Sequence, residues 1–371
     1  MYSQQELDDA VASGVITAQA ADALRAHIEG QRSTAIPDEE QFRLITGFND
    51  IFVSIAAAIL MFALGWIGQS IGQSSGLIVG DVDGPSPLAP LFVAASAWPL
   101  AMFFTAKRRM ALPSILLLLA FVGGVFLTAA FALVLGFGAD MVDNNPQFGG
   151  VIAAIAAAVA AGAAWLHWQR FRVPITVAAG AGSVAAIAVG LLVAALGQNA
   201  EQAENMILGL VLLLGIGMFL FAMWWDGSDR ARLTRRSDVA FWLHLLAAPM
   251  IVHPVFTLLG LNDGTATLSE GFIVILLYVA IAITALAIDR RALLVSALAY
   301  VLYALSELFK QFGAVELNIA LTALVIGSAL LLLSAFWHQA RGAIVRPLPQ
   351  SLRNRLPILD RTAVAATQPA A

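Results

Sequence analysis

From residue 50 almost to residue 340, long apolar runs alternate with short polar connections, and the runs have membrane length. Ten of them stand out: 50–68, 88–106, 111–136, 149–168, 173–197, 206–225, 240–260, 271–288, 292–308 and 318–337. A hydrocarbon core of about 30 Å needs about 20 apolar residues in helix. Lipid offers no partner to backbone N–H and C=O groups, so each run must satisfy its own by coiling into a helix. The pattern predicts an all-α, polytopic transmembrane helical bundle of about ten spans.

The connections fall into two kinds. One set is short and basic: Lys107-Arg108-Arg109, Arg170 with Arg172, Arg230 to Arg236, and Arg290-Arg291. The other set is acidic or rich in Gly and Asn, over 69–87, 137–148, 198–205, 261–270 and 309–317. Cytoplasmic loops hold the Lys/Arg excess of a membrane protein. With both termini assigned to the basic side, nineteen of the twenty Lys and Arg share that side and Lys310 stands opposite. The expected topology is N-in and C-in.

Composition agrees. Of 371 residues, 60% are hydrophobic and 12% charged, against about 25% charged in soluble domains. The net charge of −4 is too small and too evenly mixed to suggest nucleic acid, and the lack of Cys excludes disulfides and thiolate sites. The opening MYSQQELDDAV has no basic stretch leading into an apolar one, so it does not read as a cleavable signal. The first apolar run is expected to act as an uncleaved anchor.

Three regions follow. Residues 1–41 read as a cytoplasmic helical hairpin and linker, 42–338 as the bundle, and 339–371 as a partly disordered cytoplasmic tail. Ser3 and Glu6 have capping-box spacing, Gly14 suits a helix end, and Thr17 can cap a second helix running to Gly30. Thirty residues bury too little to stand alone. Residues 1–30 are therefore expected to dock on a protein partner, on a second copy or on the cytoplasmic face, and the lipid bilayer is the other partner implied. Phe42, Leu44, Ile45 and Phe48 suggest a short interfacial segment before the first span.

Small residues recur every fourth position at Gly150, Ala154, Ala158 and Gly162, and again at Ala178, Gly182, Ala186 and Gly190. Such stripes let two backbones approach closely, so the fourth and fifth spans should pack face to face. Pro249 and Pro254 predict a kink in the seventh span. The similar endings Trp165-Leu166-His167-Trp168-Gln169-Arg170 and Phe336-Trp337-His338-Gln339-Ala340-Arg341 suit either a duplicated hairpin or the usual gathering of Trp and Arg at an interface.

Ionisable groups at membrane depth are costly and are functional candidates by default. On the ninth span Tyr300, Tyr303 and Glu307 share a face that Lys310 continues. They form either an interfacial ion pair with belt aromatics or an outward-facing polar pocket, with His253 across from Glu307. His244 and His253 lie nine residues apart, about 180° round a regular helix, so they cannot share one metal. On the cytoplasmic side the candidates are His244 together with Asn49 and Asp50, which open the first span. An Asp there suits the positive end of a helix dipole, or it belongs to a binding motif.

The chain contains no H-E-x-x-H, no P-loop and no dinucleotide fingerprint. No motif implies a catalytic residue, a cofactor or a metal. The order of parts resembles a bacterial family of integral membrane proteins of unknown function. Its members begin with a short cytoplasmic helical segment, here Glu6 to Ile28 with Gly14-Val15-Ile16-Thr17 at the turn, and continue into many apolar helices. The resemblance implies a location in the bacterial inner membrane and brings no activity or site residues. The favoured expectation is a non-catalytic scaffold or sensor component. The alternatives are a transporter of a small or lipidic solute and a membrane enzyme acting on lipid-linked substrates.

Overall fold

The computed structural model describes residues 11–24, 48–81, 83–199, 203–230, 232, 234–260, 268–311 and 317–359. The expected helices within 1–10 and 25–30, the linker over 31–41, most of the interfacial segment before Phe48, and the end of the tail lie outside them. The chain divides into two compact units, residues 43–357 and a smaller unit of 1–42 with 358–371. In the smaller one Gly14 takes a left-handed φ of 68°, which costs a residue without Cβ nothing. Thr17 Oγ1 accepts from the Ala20 N–H at 3.2 Å, as a cap should.

The larger unit is a helical bundle: α1 Phe48–Ser74, α2 Leu88–Ala101, α3 Ala111–Phe137, the short α4 Ala139–Asn144, α5 Pro146–Phe171, α6 Ile175–Leu196, α7 Glu204–Ser228, α8 Arg235–Leu258, α9 Leu268–Ile288, α10 Ala292–Gln311, α11 Asn318–Ala335, α12 Trp337–Val345 and α13 Gln350–Arg353. Among the described residues eight helices are long and apolar enough to cross a membrane, or nine if the bent pair α11–α12 is one span. The protein is an all-α, multi-pass membrane protein. Each of the ten apolar runs is helical. The run at 292–308 becomes α10, which is not among the eight and is the most amphipathic of the long helices.

Helices neighbouring in sequence pack as antiparallel hairpins: α2 on α3, α5 on α6, α7 on α8 and α9 on α10, with α3 on α5 and α8 on α10 joining them. The four basic turns close one end of these hairpins. Each contains a non-glycine residue with left-handed φ: Arg109 at 54°, Arg172 at 56°, Arg232 at 56° and Asp289 at 58°. A single αL residue ends a helix sharply and frees the chain to reverse. Lipid, rather than a polar skin, covers the outside, where Phe52, Phe62, Trp66, Trp165 and Trp224 are exposed.

The face-to-face packing of α5 and α6 is real but uses only part of each predicted stripe. A Cβ on Gly190 would lie 2.8 Å from Ala154 N and 2.8 Å from Gly150 O, so the helices touch backbone to backbone there. Ala158 and Gly162 instead face outward, and the buried face runs through Ala154, Ala157, Ala160 and Ala164. Steps of four residues turn 400°, so a strict every-fourth stripe drifts about 40° per step off one face. Only part of such a stripe can meet a straight neighbour, the first members in α5 and the last, Gly190, in α6.

The last span breaks sharply. α11 and α12 meet at 74° across Phe336. Residues up to Pro357 belong to the bundle unit, so the segment 339–357 expected in the tail is packed structure. The two similar sequence endings also part company. His167 is buried and Arg170 exposed, whereas His338 is exposed and Arg341 buried. Their likeness therefore does not reflect a shared local structure.

Candidate functional site: a buried charge cluster at the basic end

Three polar side chains converge where α7, α8 and the α9–α10 turn meet. Asp226 sits in the last turn of α7, His244 in the middle of α8, and Arg290 just beyond α9. All are buried, with exposures of 1%, 0% and 3%. His244 Nε2 lies 3.1 Å from Asp226 Oδ2. Arg290 Nε donates to the same oxygen at 3.2 Å, and Arg290 Nη2 donates to Asp226 Oδ1, which makes the pair bidentate. Arg290 Nη2 also donates to Ser237 O at 3.0 Å. A planar guanidinium matches a carboxylate edge in this way, and a lysine could not.

A second carboxylate lies one residue away. Asp289 accepts from Arg232 Nη1 at 3.0 Å and from Trp337 Nε1 at 2.8 Å, with Arg341 Nε 3.8 Å from Asp289 Oδ1. Arg232 Nη2 donates to the carbonyls of Ile288 and Asp289 at 3.0 and 2.9 Å. Arg291 lies over the Trp337 ring, 4.8 Å from its centre. The αL geometry of Asp289 turns the chain so that consecutive residues, Asp289 and Arg290, serve different partners.

The outer layer of the cluster holds the C-terminal segment. Arg230 Nε donates to Leu356 O at 2.9 Å and its Nη2 to Arg353 O at 3.1 Å. Arg341 Nη2 donates to Pro357 O at 2.7 Å. Asp229 accepts from Thr234 N and Oγ1 at 2.8 and 2.7 Å, which fixes the turn entering α8. The 229–234 turn, the 289–291 turn and the segment 341–357 thus meet at one end of the bundle, as the assignment of all three to one membrane face predicts.

The sequence candidates fare unevenly. His244 is a core member of the cluster. His253 on the same helix is exposed, so the two histidines face apart across Pro249 as their spacing implies. Asp50 lies buried in the first turn of α1 and Asn49 beside it is exposed. Tyr303 is 40% exposed. Tyr300, Glu307 and Lys310 lie on α10, but their side chains are outside the described residues, as is the pocket they would form.

Sequence reading missed Asp226, Asp289, Arg232, Arg290, Trp337 and Arg341. A signal was present: Asp226, Asp229 and Asp289 are acids inside basic turns, where an acid has nearby cations to meet. Among the described residues no three His, Asp or Glu side chains are grouped to hold a metal. Compared with protein-family models, with curated proteins and with solved structures, the chain matches none.

Proposed function

We propose that this chain is a non-catalytic component of a bacterial inner membrane, a scaffold or sensor with its basic end and both termini in the cytoplasm. The observation that carries the reading is the saturation of the buried carboxylates. Asp226 is occupied by Arg290 and His244, and Asp289 by Arg232, Trp337 and Arg341. A general acid or base needs a proton it can exchange with substrate. The two carboxylates spend their acceptor sites on holding two turns and the C-terminal segment together, while His244 Nδ1 is buried without a hydrogen-bond partner. Residues 1–41 then supply the partner-binding part, in line with the capping pattern at Ser3 and Glu6 and the cap at Thr17.

Complementation in cells lacking the chain tests this. An apolar triple variant, Asp226→Leu with His244→Phe and Arg290→Met, is expected to restore the lost phenotype if it folds, whereas deletion of 1–41 is not. A triple variant that inserts and folds yet fails to complement gives the cluster a chemical role and overturns the reading. The transport and lipid-linked enzyme readings rest on Glu307 and His253, and solute flux in vesicles abolished by Glu307→Gln would favour transport.

A further inference from the structure

The two halves of the basic end are built differently. Around the buried cluster, Arg230, Arg232, Arg235, Arg236, Arg290 and Arg291 are interleaved with Asp226, Asp229, Asp238 and Asp289. The other half carries Lys107, Arg108, Arg109, Arg170 and Arg172 on the α2–α3 and α5–α6 turns, and residues 84–139 and 144–200 contain no Asp or Glu at all. All five cations are exposed. Three of them lie over aromatic rings: Arg108 over Phe103 at 5.6 Å, Arg170 over Phe171 at 5.6 Å and Arg172 over Trp168 at 5.3 Å.

The two turns are neighbours. Phe171 packs on the hydrophobic cluster of Ala97, Ala101 and Leu117, and its ring centre is 5.2 Å from that of Trp98. A π-helical turn over Met102–Lys107 widens the end of α2 where the first cations stand.

Below these turns, the same hairpins enclose an apolar crevice of about 360 Å³ between α3, α5 and α6, its walls including Val122, Gly123, Phe126, Ala160, Gly182 and Ala186. It opens outward past exposed Leu119, Leu127 and Ala186. At 1.5 Å per residue, Leu119 is about 15 Å from Arg109, Ala160 about 15 Å from Arg170, and Ala179 about 10 Å from Arg172. The far walls at Leu127 and Ala186 lie about 27 and about 21 Å from the turns. One leaflet of the hydrocarbon core is about 15 Å thick, so the crevice begins deep in the leaflet on the basic side and crosses the midplane, within reach of the tail of an acyl chain whose phosphate sits at the basic turns.

We propose that this half of the bundle is a binding site for an anionic phospholipid. Its phosphate is held by Lys107, Arg108, Arg109, Arg170 and Arg172, and one acyl chain lies in the α3–α5–α6 crevice. Charge selects the occupant. Any lipid can fill an apolar crevice, but five exposed cations on the two turns at its end of the bundle favour a headgroup with net negative charge.

The test uses full-length protein, delipidated in detergent, with dioleoyl-phosphatidylglycerol or dioleoyl-phosphatidylcholine added back. Thermal unfolding and native mass spectrometry are the readouts. Phosphatidylglycerol is expected to raise the midpoint and stay bound, and phosphatidylcholine is not. The pairs Lys107→Gln with Arg108→Gln, and Arg170→Gln with Arg172→Asn, are each expected to weaken retention on the order of tenfold or more. Asn tolerates the left-handed φ at Arg172.

Arg235→Gln with Arg236→Gln, on the compensated half, is expected to leave retention unchanged. Gly123→Leu fills the crevice where a Cβ meets nothing within 4 Å, and is expected to reduce the phosphatidylglycerol shift. Equal shifts from the two lipids, retention unaffected by both cation pairs, or equal loss in the Arg235/Arg236 pair would overturn the proposal. The cation pairs decide the matter even if Gly123→Leu fails to fold.

Discussion

Asp226 and Arg290 are 64 residues apart in the chain, yet both guanidinium edge nitrogens of Arg290 meet the Asp226 carboxylate in a site closed to solvent. The pair ties the end of α7 to the turn after α9, and His244 completes it from α8. A charge pair buried this deeply is costly to form from water, but costlier still to break by removing one partner.

Asp226→Ala and Arg290→Ala should therefore each destabilise the bundle strongly, by about 3–5 kcal/mol. The double variant should cost much less than the sum. A double-mutant cycle on thermal or denaturant unfolding in micelles measures the coupling, and additive losses would show that the two side chains do not act as a pair. Arg290→Lys should resemble Arg290→Ala more than wild type, because an ammonium cannot span both carboxylate oxygens and reach Ser237 O.

Trp337 separates hydrogen bonding from packing. Trp337→Phe removes the Nε1–H donated to Asp289 and keeps a ring beneath Arg291. A loss of about 1–3 kcal/mol is expected, the range for leaving a buried acceptor short of one donor. No loss in unfolding measurements would mean that Arg232 and Arg341 satisfy Asp289 without it.

The segment after α12 is held chiefly through its backbone carbonyls. A stop after Val345 removes the acceptors at Arg353, Leu356 and Pro357, leaving the guanidinium groups of Arg230 and Arg341 without those bonds. The expected result is a lower unfolding temperature with unchanged membrane insertion. Limited proteolysis should then cut first near the 229–234 turn, and an unaltered cleavage pattern would argue that the segment is not a clamp.

Two glycines, one from each predicted stripe, should respond oppositely. Gly190→Leu forces α5 and α6 apart, since even a Cβ there meets Gly150 O at 2.8 Å, whereas Gly162 has nothing within 4 Å of its Cβ position. Loss of monodisperse protein is expected for the first substitution and near-wild-type stability for Gly162→Leu. Size-exclusion profiles and unfolding midpoints compare them directly. Equal tolerance would place the α5–α6 contact elsewhere.

What the chain's sequence determined by itself is whatever depends on neighbours along the chain. Twenty apolar residues in a row demand a helix in lipid, so the helical segments were legible from 50 to 337. Arginine counts on alternate connections marked the basic end, because membrane orientation responds to charges close to each span. Tertiary structure alone decided three things. It chose Asp226 for Arg290 and Asp289 for Arg232, since pairing depends on how helices rotate and which turns become adjacent. It selected Gly150 and Gly190 from longer small-residue stripes, because 3.6 residues per turn carry an every-fourth pattern off the contact face. It folded α12 back across the basic end, where Trp337 and Arg341 find a carboxylate that no local pattern placed beside them.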